Sequence, residues 1–370
     1  MRISNIWRLG IKELWSLARN PALLTLIAVA FSLQIYVAAT ATPIALNAAP
    51  IAIVDEDVSP LSARIASAFY PPYFDRPQTI PLSEMNRRMD AGVDTFALVV
   101  PTNFQRDVLA GHGPALQLNV DATRMTQAFT GAGYVQAIVS EEIAEFFRRY
   151  RAEERAPVEL VLRARFNPGL DPGWFGAMME VVNNVSLLSV ILAGAALIRE
   201  RERGTIEHLL VMPVTPVEIV LGKIWPTALV VFAAAIFAIT VVVQAWLKIP
   251  VAGSLPLLML GIVLQLFATT SLGIFLATVA GSMPQFGLLL MLVLFPLQVL
   301  AGGLTPIESM PDGLRILMNA APDTHFVALS QSILFRGAGI EAVWPELAAL
   351  AVIGGTLFLF SLWRFRKSLR

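Results

Sequence analysis

Residues 185–216, VSLLSVILAGAALIRERERGTIEHLLVMPVTP, pass from a long apolar stretch directly into five consecutive charged residues, and two prolines follow. Burying five charges in hydrocarbon would cost on the order of ten kcal/mol, at roughly 2.5–3.5 kcal/mol each. The charges at 199–203, which we call the charged segment, therefore lie in water or against protein. This places them at one end of a membrane-spanning helix.

The whole chain has the composition of a membrane protein. Of its 370 residues, 56% are hydrophobic and 15% are charged, whereas roughly a quarter of the residues in a soluble domain are charged. The formal net charge of +0 argues against electrostatic binding of nucleic acid. The absence of cysteine excludes disulfides, cysteine nucleophiles and thiolate metal sites. The three histidines lie far apart in the sequence, so we expect no metal site.

Six stretches have the length and apolarity needed to cross a bilayer, which takes roughly 20 residues. They lie at 22–46, 174–198, 224–247, 255–280, 284–304 and 343–363. Lys and Arg are concentrated before the first stretch, between the second and third, and after the sixth. By the positive-inside rule, both termini are cytoplasmic.

Residues 1–21 have helical amphipathic periodicity, which predicts a helix in the cytoplasmic membrane interface. A helical extension of the first span is the alternative. The predicted organisation is an interfacial helix at 1–21, span one at 22–46, an outer domain at 47–172, spans two to six within 173–363, and a cytoplasmic tail at 364–370.

Residues 47–172 have ordinary polarity and alternate strand-like with helix-like segments, ending in a strand expected at 158–166. This predicts an α/β domain large enough for its own core. Its acidic run at 55–57 is more typical of a strand end and helix cap than of a cation site. We see no Ser/His/Asp set or paired carboxylates, and therefore expect no catalytic residues. The predicted fold is an α-helical polytopic membrane protein with six transmembrane helices and an extracytoplasmic α/β domain between the first two.

Polar residues inside the spans are candidates for a transport pathway or for helix packing. Glu180, Asn183 and Asn184 share part of one face of the second span, and both interpretations stay open for them. The polar residues of the fourth span, such as Gln265, are more typical of packing contacts.

The segment at 302–339 is too long for a turn and too apolar for a free loop, so we expect short helices there. Asp323 and His325 are candidates for an outer gate, with capping and ordinary surface roles as the alternative.

The charged segment and its surroundings resemble type-2 ABC transporter permeases. The shared pattern is an Arg/Glu-rich run, Gly-Thr, an apolar pair, a proline-containing turn and an apolar span that starts after Gly-Lys. Its residues in this chain are Glu200, Arg201, Glu202, Arg203, Gly204, Thr205, Glu207, Leu209, Leu210, Pro213, Pro216, Gly222 and Lys223. The resemblance covers the whole chain, since one branch of that family, found in Gram-negative inner membranes, combines six spans with an interfacial helix and a large external domain.

The resemblance implies an export permease subunit of a bacterial inner membrane, with no ATPase of its own. The sequence agrees, because it contains no GxxxxGK[ST] phosphate loop. ATP and magnesium would bind a separate cytoplasmic ABC ATPase, so no cofactor is expected in this chain. The contact with that ATPase is expected within 199–223, at Glu200, Arg201, Glu202, Arg203, Gly204, Thr205, Glu207, Leu209 and Leu210. In the family, the segment 303–340 forms helices that dip back at the outer face.

The resemblance also implies a partner in the membrane, either a second copy or a paralogue. A periplasmic adaptor protein and an outer-membrane channel are further partners that this architecture allows. Two other functions stay open: a membrane sensor or scaffold with a ligand-binding outer domain, and an ATP-independent carrier. A carrier usually has ionisable groups near the midplane and two similar halves, and the sequence shows neither.

Overall fold

The computed structural model describes residues 2–40, 46, 48–121, 125–150, 172–204, 213–303, 307 and 310–368. The chain forms two compact units. The first consists mainly of Met1–Thr42 and Gly173–Arg370, and the second mainly of Pro43–Ala164.

Two helices open the first unit, separated by a short polar break. Helix α1 (Ile3–Ala18) is amphipathic, and helix α2 (Pro21–Thr40) is apolar. Asn20 caps α2 by accepting a hydrogen bond from the Leu23 amide at 3.2 Å. Proline suits the first position of α2 because its missing N–H would have no partner there. A π-helical turn at Ala30–Gln34 interrupts α2.

The second unit is an α/β domain built on a four-stranded sheet with the order β2-β1-β3-β4. The strands are β1 (Ile51–Asp55), β2 (Gln78–Thr79), β3 (Phe96–Val100) and β4 (Gln117–Val120). The helices are α3 (Pro60–Ser67), α4 (Leu82–Asp90), α5 (Phe104–Ala110) and α6 (Met125–Tyr150). Strands β1, β2 and β3 are parallel, and β4 is antiparallel to β3.

Strands β1 and β3 are almost continuously apolar because each contributes to two cores. Ile51 and Ile53 enter the larger core of the unit, whereas Ala52 and Val54 enter a smaller one on the other face. A parallel sheet covered on both faces has this pattern.

The acidic run after β1 holds the local turns together, as the sequence predicts. Asp55 accepts hydrogen bonds from the amides of Asp57 and Val58, at 3.1 and 2.9 Å, and from the Ser62 hydroxyl at 2.7 Å. Asp57 accepts a hydrogen bond from the Gln105 amide at 3.0 Å, at the start of α5. The short strand β2 was not predicted, and the strand expected at 158–166 lies outside the described residues.

The remaining helices of the first unit follow after residue 171. They are α7 (Pro172–Glu202), α8 (Pro216–Trp246), α9 (Leu255–Val279), α10 (Met283–Leu300), α11 (Asp312–Asn319), α12 (Pro322–Leu334) and α13 (Ile340–Ser368). Among the described residues, six helices are long and apolar enough to span a membrane, namely α2, α7, α8, α9, α10 and α13. The length and composition of these helices confirm the prediction of six spans.

Helix α7 is the central helix of this unit. Of its most apolar window, 83% is buried within the chain, whereas the figure for α10 is 11%. Helices α11 and α12 are the short helices expected at 302–339, and Phe326, Leu329 and Ile333 of α12 are buried in the main core.

Helix α8 begins eight residues before the start predicted for span three. Thr215 accepts a hydrogen bond from the Glu218 amide at 3.3 Å, and Glu218 accepts one from the Thr215 amide at 3.0 Å. This is a capping box, with Pro216 at the first helical position. The sequence TPVE, directly after the proline-containing turn, contains this signal.

Helices α7 and α9 approach so closely that glycine is required at the crossing. A Cβ atom added to Gly273 of α9 would lie 2.4 Å from the Val190 carbonyl oxygen of α7. Small residues allow this kind of close approach between membrane helices.

We therefore expect Gly273→Ala to destabilise the protein by about 1–3 kcal/mol, the usual cost of overpacking a tight contact. Thermal unfolding of the purified full-length chain measures the effect. Gly355→Ala in α13 is the matched control, because no heavy atom lies within 4 Å of the added methyl group there. Equal stability of the two variants would contradict the close crossing.

Candidate coupling site and polar core

Two side chains of the charged segment stabilise the turn between α9 and α10. Arg201 donates a hydrogen bond to the Ala280 carbonyl oxygen at 3.0 Å, just after the end of α9. Glu202 accepts one from the Met283 amide at 2.8 Å, at the start of α10. A cation at a helix C-terminus and an anion at a helix N-terminus both complement the helix dipole. The positive charge of Arg201 therefore complements the C-terminal end of α9, and the negative charge of Glu202 complements the N-terminal end of α10.

A third side chain of the segment, Glu200, belongs to a cluster of two lysines and two glutamates. We call Lys12, Glu13, Glu200 and Lys223 the charge quartet. The Lys223 ammonium lies 3.0 Å from Oε1 of Glu13 and 2.5 Å from Oε2 of Glu200. Lys12 also forms an ion pair with Glu200.

Three members of the quartet are largely removed from water. The side chains of Lys223, Glu200 and Glu13 are 3%, 11% and 14% exposed, whereas that of Lys12 is 51% exposed. A buried charge is costly unless opposite charges surround it. Two positive and two negative groups make the quartet neutral, and they join α1, α7 and α8 at one end of the unit, which we call the charged end.

Aromatic packing holds α1 on α8 beside the quartet. The Trp7 and Trp225 rings stack with centroids 4.9 Å apart and an interplanar angle of 2°. The Trp225 indole donates a hydrogen bond to the Ile6 carbonyl oxygen at 3.2 Å. Gly10 is needed here, because an added Cβ atom would lie 2.1 Å from the Trp225 ring.

Helix α1 is also attached at its first residues. The Arg2 amide and the Asn5 side chain donate hydrogen bonds to the Glu218 carboxylate, at 2.5 and 3.2 Å. The same carboxylate thus caps α8 and receives the N-terminal end of α1.

Only part of the apolar face of α1 packs on α8. Gly10 is buried there, and Leu9 and Glu13 lie partly buried beside it, whereas Ile3 and Trp7 remain 80% and 58% exposed. Helix α1 therefore has a packed face, an exposed apolar face and an exposed polar face.

A polar network crosses the core between α7, α9 and α12. The Gln265 amide donates hydrogen bonds of 2.8 Å to both the Ser186 hydroxyl and Oδ1 of Asp323. One turn further along α7, Ser189 donates to Thr269 at 2.6 Å. These residues are buried, so the network links helices, as the sequence predicts for the polar groups of span four.

The three predicted pathway residues differ in burial, although Asn184 donates a hydrogen bond of 3.3 Å to the Glu180 carboxylate. Between residues 177 and 198 of α7, the residues that escape full burial are Glu180, Asn183, Leu187 and Ile191. Their spacing of three, four and four residues forms one stripe along the helix. Asn184 is outside that stripe: it is 2% exposed and donates a hydrogen bond of 2.9 Å to the Ala30 carbonyl oxygen. Asn184 therefore packs α7 against α2, at the π-helical turn.

The two candidate gate residues face different neighbours. Asp323 is buried and faces Gln265, and burial raises the pKa of its carboxyl group while hydrogen bonds from Ser186 and Gln265 oppose the rise. His325 is partly exposed and contacts Glu346 of α13 and the Asn319 carbonyl oxygen of α11. Both residues therefore join α12 to other helices.

Four of the predicted coupling residues lie outside the described residues, namely Thr205, Glu207, Leu209 and Leu210. Arg203 and Gly204 are described, and both lie exposed in the turn after α7. The role predicted for the set remains a prediction.

The sequence matches the family described as ABC-2 family transporter protein over residues 22–363. The chain belongs to this ABC-2 transporter family. It is 54% identical over 367 residues to the inner membrane transport permease YhhJ of Escherichia coli (strain K12), covering 99% of this chain and 98% of that protein. It is 28% identical over 358 residues to the probable multidrug ABC transporter permease YbhR of the same strain, covering 95% of each chain.

These similarities confirm the resemblance that the charged segment and the six spans indicate. This ABC-2 family protein is thus a multi-pass membrane protein of a transporter family, and that family implies an ABC ATPase as partner.

Glu13 and the ion pairs of the quartet were not predicted from the sequence of this ABC-2 protein. Glu200 and Lys223 belong to the pattern shared with the family, and Lys12 helps to orient the spans. A signal was present, since Lys223 lies inside the apolar end of α8, where a lysine without a partner is costly.

We expect Lys223→Met to destabilise this ABC-2 protein by about 3–5 kcal/mol, because removing one member of a buried ion pair leaves the other charges uncompensated. Chemical or thermal unfolding of the full-length chain measures this. Lys248→Met, at the exposed opposite end of α8, is the matched control and should change stability by less than about 1 kcal/mol. Similar losses in both variants would contradict the importance of the quartet.

Proposed function

We propose that the chain is the membrane-spanning subunit of an ATP-driven exporter, and that a separate cytoplasmic ABC ATPase supplies the energy. The observation that carries this proposal is the charge quartet, which ties three helices together beside the segment expected to touch the ATPase. Membership of the ABC-2 family and the names of the relatives, transport permease and probable multidrug permease, support it.

In this proposal, the charged segment has two roles divided along its length. Glu200, Arg201 and Glu202 bind within the chain, and Arg203 with the residues after it meets the ATPase. Movement of the ATPase would then displace α7, α1 and α8 together, because the quartet and the tryptophan stack join them. Arg201 and Glu202 would carry the same displacement to the turn between α9 and α10.

The pathway is proposed to follow the half-exposed stripe of α7 (Glu180, Asn183, Leu187 and Ile191). A second copy or a paralogue would complete it. Helix α10 supports this partner, because four of its large apolar side chains are mostly exposed in the single chain. Leu288, Met291, Leu292 and Phe295 are 69–74% exposed.

By the positive-inside rule, the charged end would lie in the cytoplasm and the second unit in the periplasm. There the second unit would shape the exit or receive an adaptor protein that leads to an outer-membrane channel. Helices α11 and α12 would cap the outer end of the pathway.

The decisive experiment isolates the partner-facing part of the charged segment. The double variant Arg203→Glu/Glu207→Arg should lose association with the ABC ATPase encoded near the gene, and with it ATP-dependent transport. The single variant Arg203→Glu, at an exposed position, should change thermal stability by no more than about 0.5 kcal/mol, as for an ordinary surface substitution. Co-purification, ATP hydrolysis in proteoliposomes and thermal unfolding provide the three measurements.

Lys248→Glu is the control for a charge change at the other end of α8, and it should retain the ATPase. The proposal fails if no ABC ATPase co-purifies with the wild-type chain, or if the double variant keeps both association and coupled transport. Ligand binding by the full chain without substrate movement would favour the sensor. Transport that needs no ATP would favour the carrier.

Neighbouring asparagines of α7 provide a second test. Asn183→Leu should alter the ATP hydrolysis rate of the reconstituted complex, because Asn183 lies on the stripe of α7 that is proposed to line the pathway. Its stability should be unchanged. Asn184→Leu should lower stability by roughly 0.6–1.7 kcal/mol, the range for hydrogen bonds between membrane helices. The assignment of the stripe to the pathway would be wrong if Asn183→Leu behaved like wild type in hydrolysis and transport.

A further inference from the structure

His325 lies between two hydrogen-bond acceptors that belong to different helices. Its Nδ1 atom is 2.5 Å from Oε2 of Glu346 in α13, and its Nε2 atom is 2.9 Å from the carbonyl oxygen of Asn319, the last residue of α11. His325 itself is in the first turn of α12. One imidazole ring therefore joins three helices.

The chemistry of the two acceptors determines the protonation state that fits this arrangement. A carboxylate oxygen and a backbone carbonyl oxygen both need a donor. A neutral imidazole carries one N–H group, and an imidazolium carries two. With a neutral ring, a ring nitrogen would face an acceptor without a hydrogen between them. The imidazolium satisfies both contacts.

We propose that His325 is a proton-binding site, and that its bound proton clamps α11, α12 and α13 together. Loss of the proton removes one of the two hydrogen bonds and the ion pair with Glu346. The contact made by α11 or by α13 is then lost, and the three helices separate more easily.

Water has access to the site from one side. The His325 and Glu346 side chains are 19% and 31% exposed. Glu346 also lines a cavity of about 490 Å³, together with Gln331, Ser332 and Arg336. The proton can therefore exchange with solvent without passage through the core.

Two charged groups near His325 have contacts of their own, and a third, Arg336, lines the same cavity as Glu346. Arg315 of α11 pairs with Asp312 at 2.6 Å. Asp323, in the same turn of α12 as His325, faces Gln265 of α9. On α13, Glu346 is the residue whose carboxylate contacts the ring.

The direction of the pH effect follows from the state that the contacts favour. Because the clamp needs the protonated ring to donate to both acceptors, its contribution is present at acid pH and is lost when the ring is deprotonated at higher pH. The proton site itself does not depend on the proposed function. Its consequence for transport does, because opening of the outer end becomes easier as pH rises only if α11 and α12 cap a pathway.

The chain contains no cysteine, so two introduced cysteines carry spin labels without interference. Leu317 of α11 is 66% exposed, and Ala342 of α13 is also exposed. In the full chain bearing Leu317→Cys and Ala342→Cys, electron spin resonance measures the distance between the labels in lipid nanodiscs, without ATPase or substrate. We expect a narrow distribution at pH 5.5 and a broader one at pH 8.

Adding His325→Gln should give the broad distribution at both pH values. Glutamine stays neutral at both, so it cannot replace the imidazolium in the ion pair with Glu346. His112→Gln, an exposed position in the second unit, is the matched control and should keep the full pH response. Glu346→Gln retains the histidine but removes the carboxylate, and should also lose the response. This variant decides the question if His325→Gln does not fold.

The clamp is overturned if the labelled chain shows the same distribution at both pH values, or if the folded His325→Gln or Glu346→Gln variant responds to pH like the control. Since neither ATP nor substrate is present, these outcomes are independent of whether the exporter proposal holds.

Discussion

A lysine ammonium that leaves water needs compensating charge, and Lys223 imposes that requirement on three helices at once. Glu13 comes from α1 and Glu200 from α7, while Lys12 balances the second acid. An amphipathic helix of 16 residues gains little preference for one position from apolar contacts alone, since those are non-directional. The ion pairs and the tryptophan stack supply the direction. The position of α1, and with it the shape of the charged end, depends on this one buried charge.

The first unit places its polar groups at three levels. The quartet lies at the charged end, the Ser186–Gln265–Asp323 network in the core, and His325 where α11, α12 and α13 meet. The first two levels connect helices that are distant in sequence, and His325 connects three consecutive helices. Each level uses a different chemistry: ion pairs, neutral hydrogen bonds to a carboxyl group, and a ring with two acceptors. Since apolar packing in a membrane provides little orientation of its own, these three sets of contacts determine which helix faces meet.

Length and apolarity were sufficient to predict the six spans, because a bilayer imposes a minimum length on any helix that crosses it. The alternation of strands and helices in residues 47–121 was predicted for a similar local reason. Contacts between helices were harder to predict. Asn183 and Asn184 are adjacent and chemically identical, and only the packing of α2 against α7 shows that one is buried and the other is not. The partners of the charged segment could not be predicted either. Arg201 and Glu202 contact backbone atoms of Ala280 and Met283, and any residue type offers the same backbone atoms.

The division of the charged segment has an evolutionary consequence. Residues 200–202 contact other parts of the same chain, so a substitution there requires a compensating substitution at Lys12, Lys223 or the α9–α10 turn. Position 203 is exposed and is free of that constraint within the described residues. If position 203 and the residues after it contact the ATPase as proposed, duplicated genes can diverge there in the ATPase they accept, while residues 200–202 change only together with their intramolecular partners. A single run of five charges would then record two separate histories, one of folding and one of partner choice.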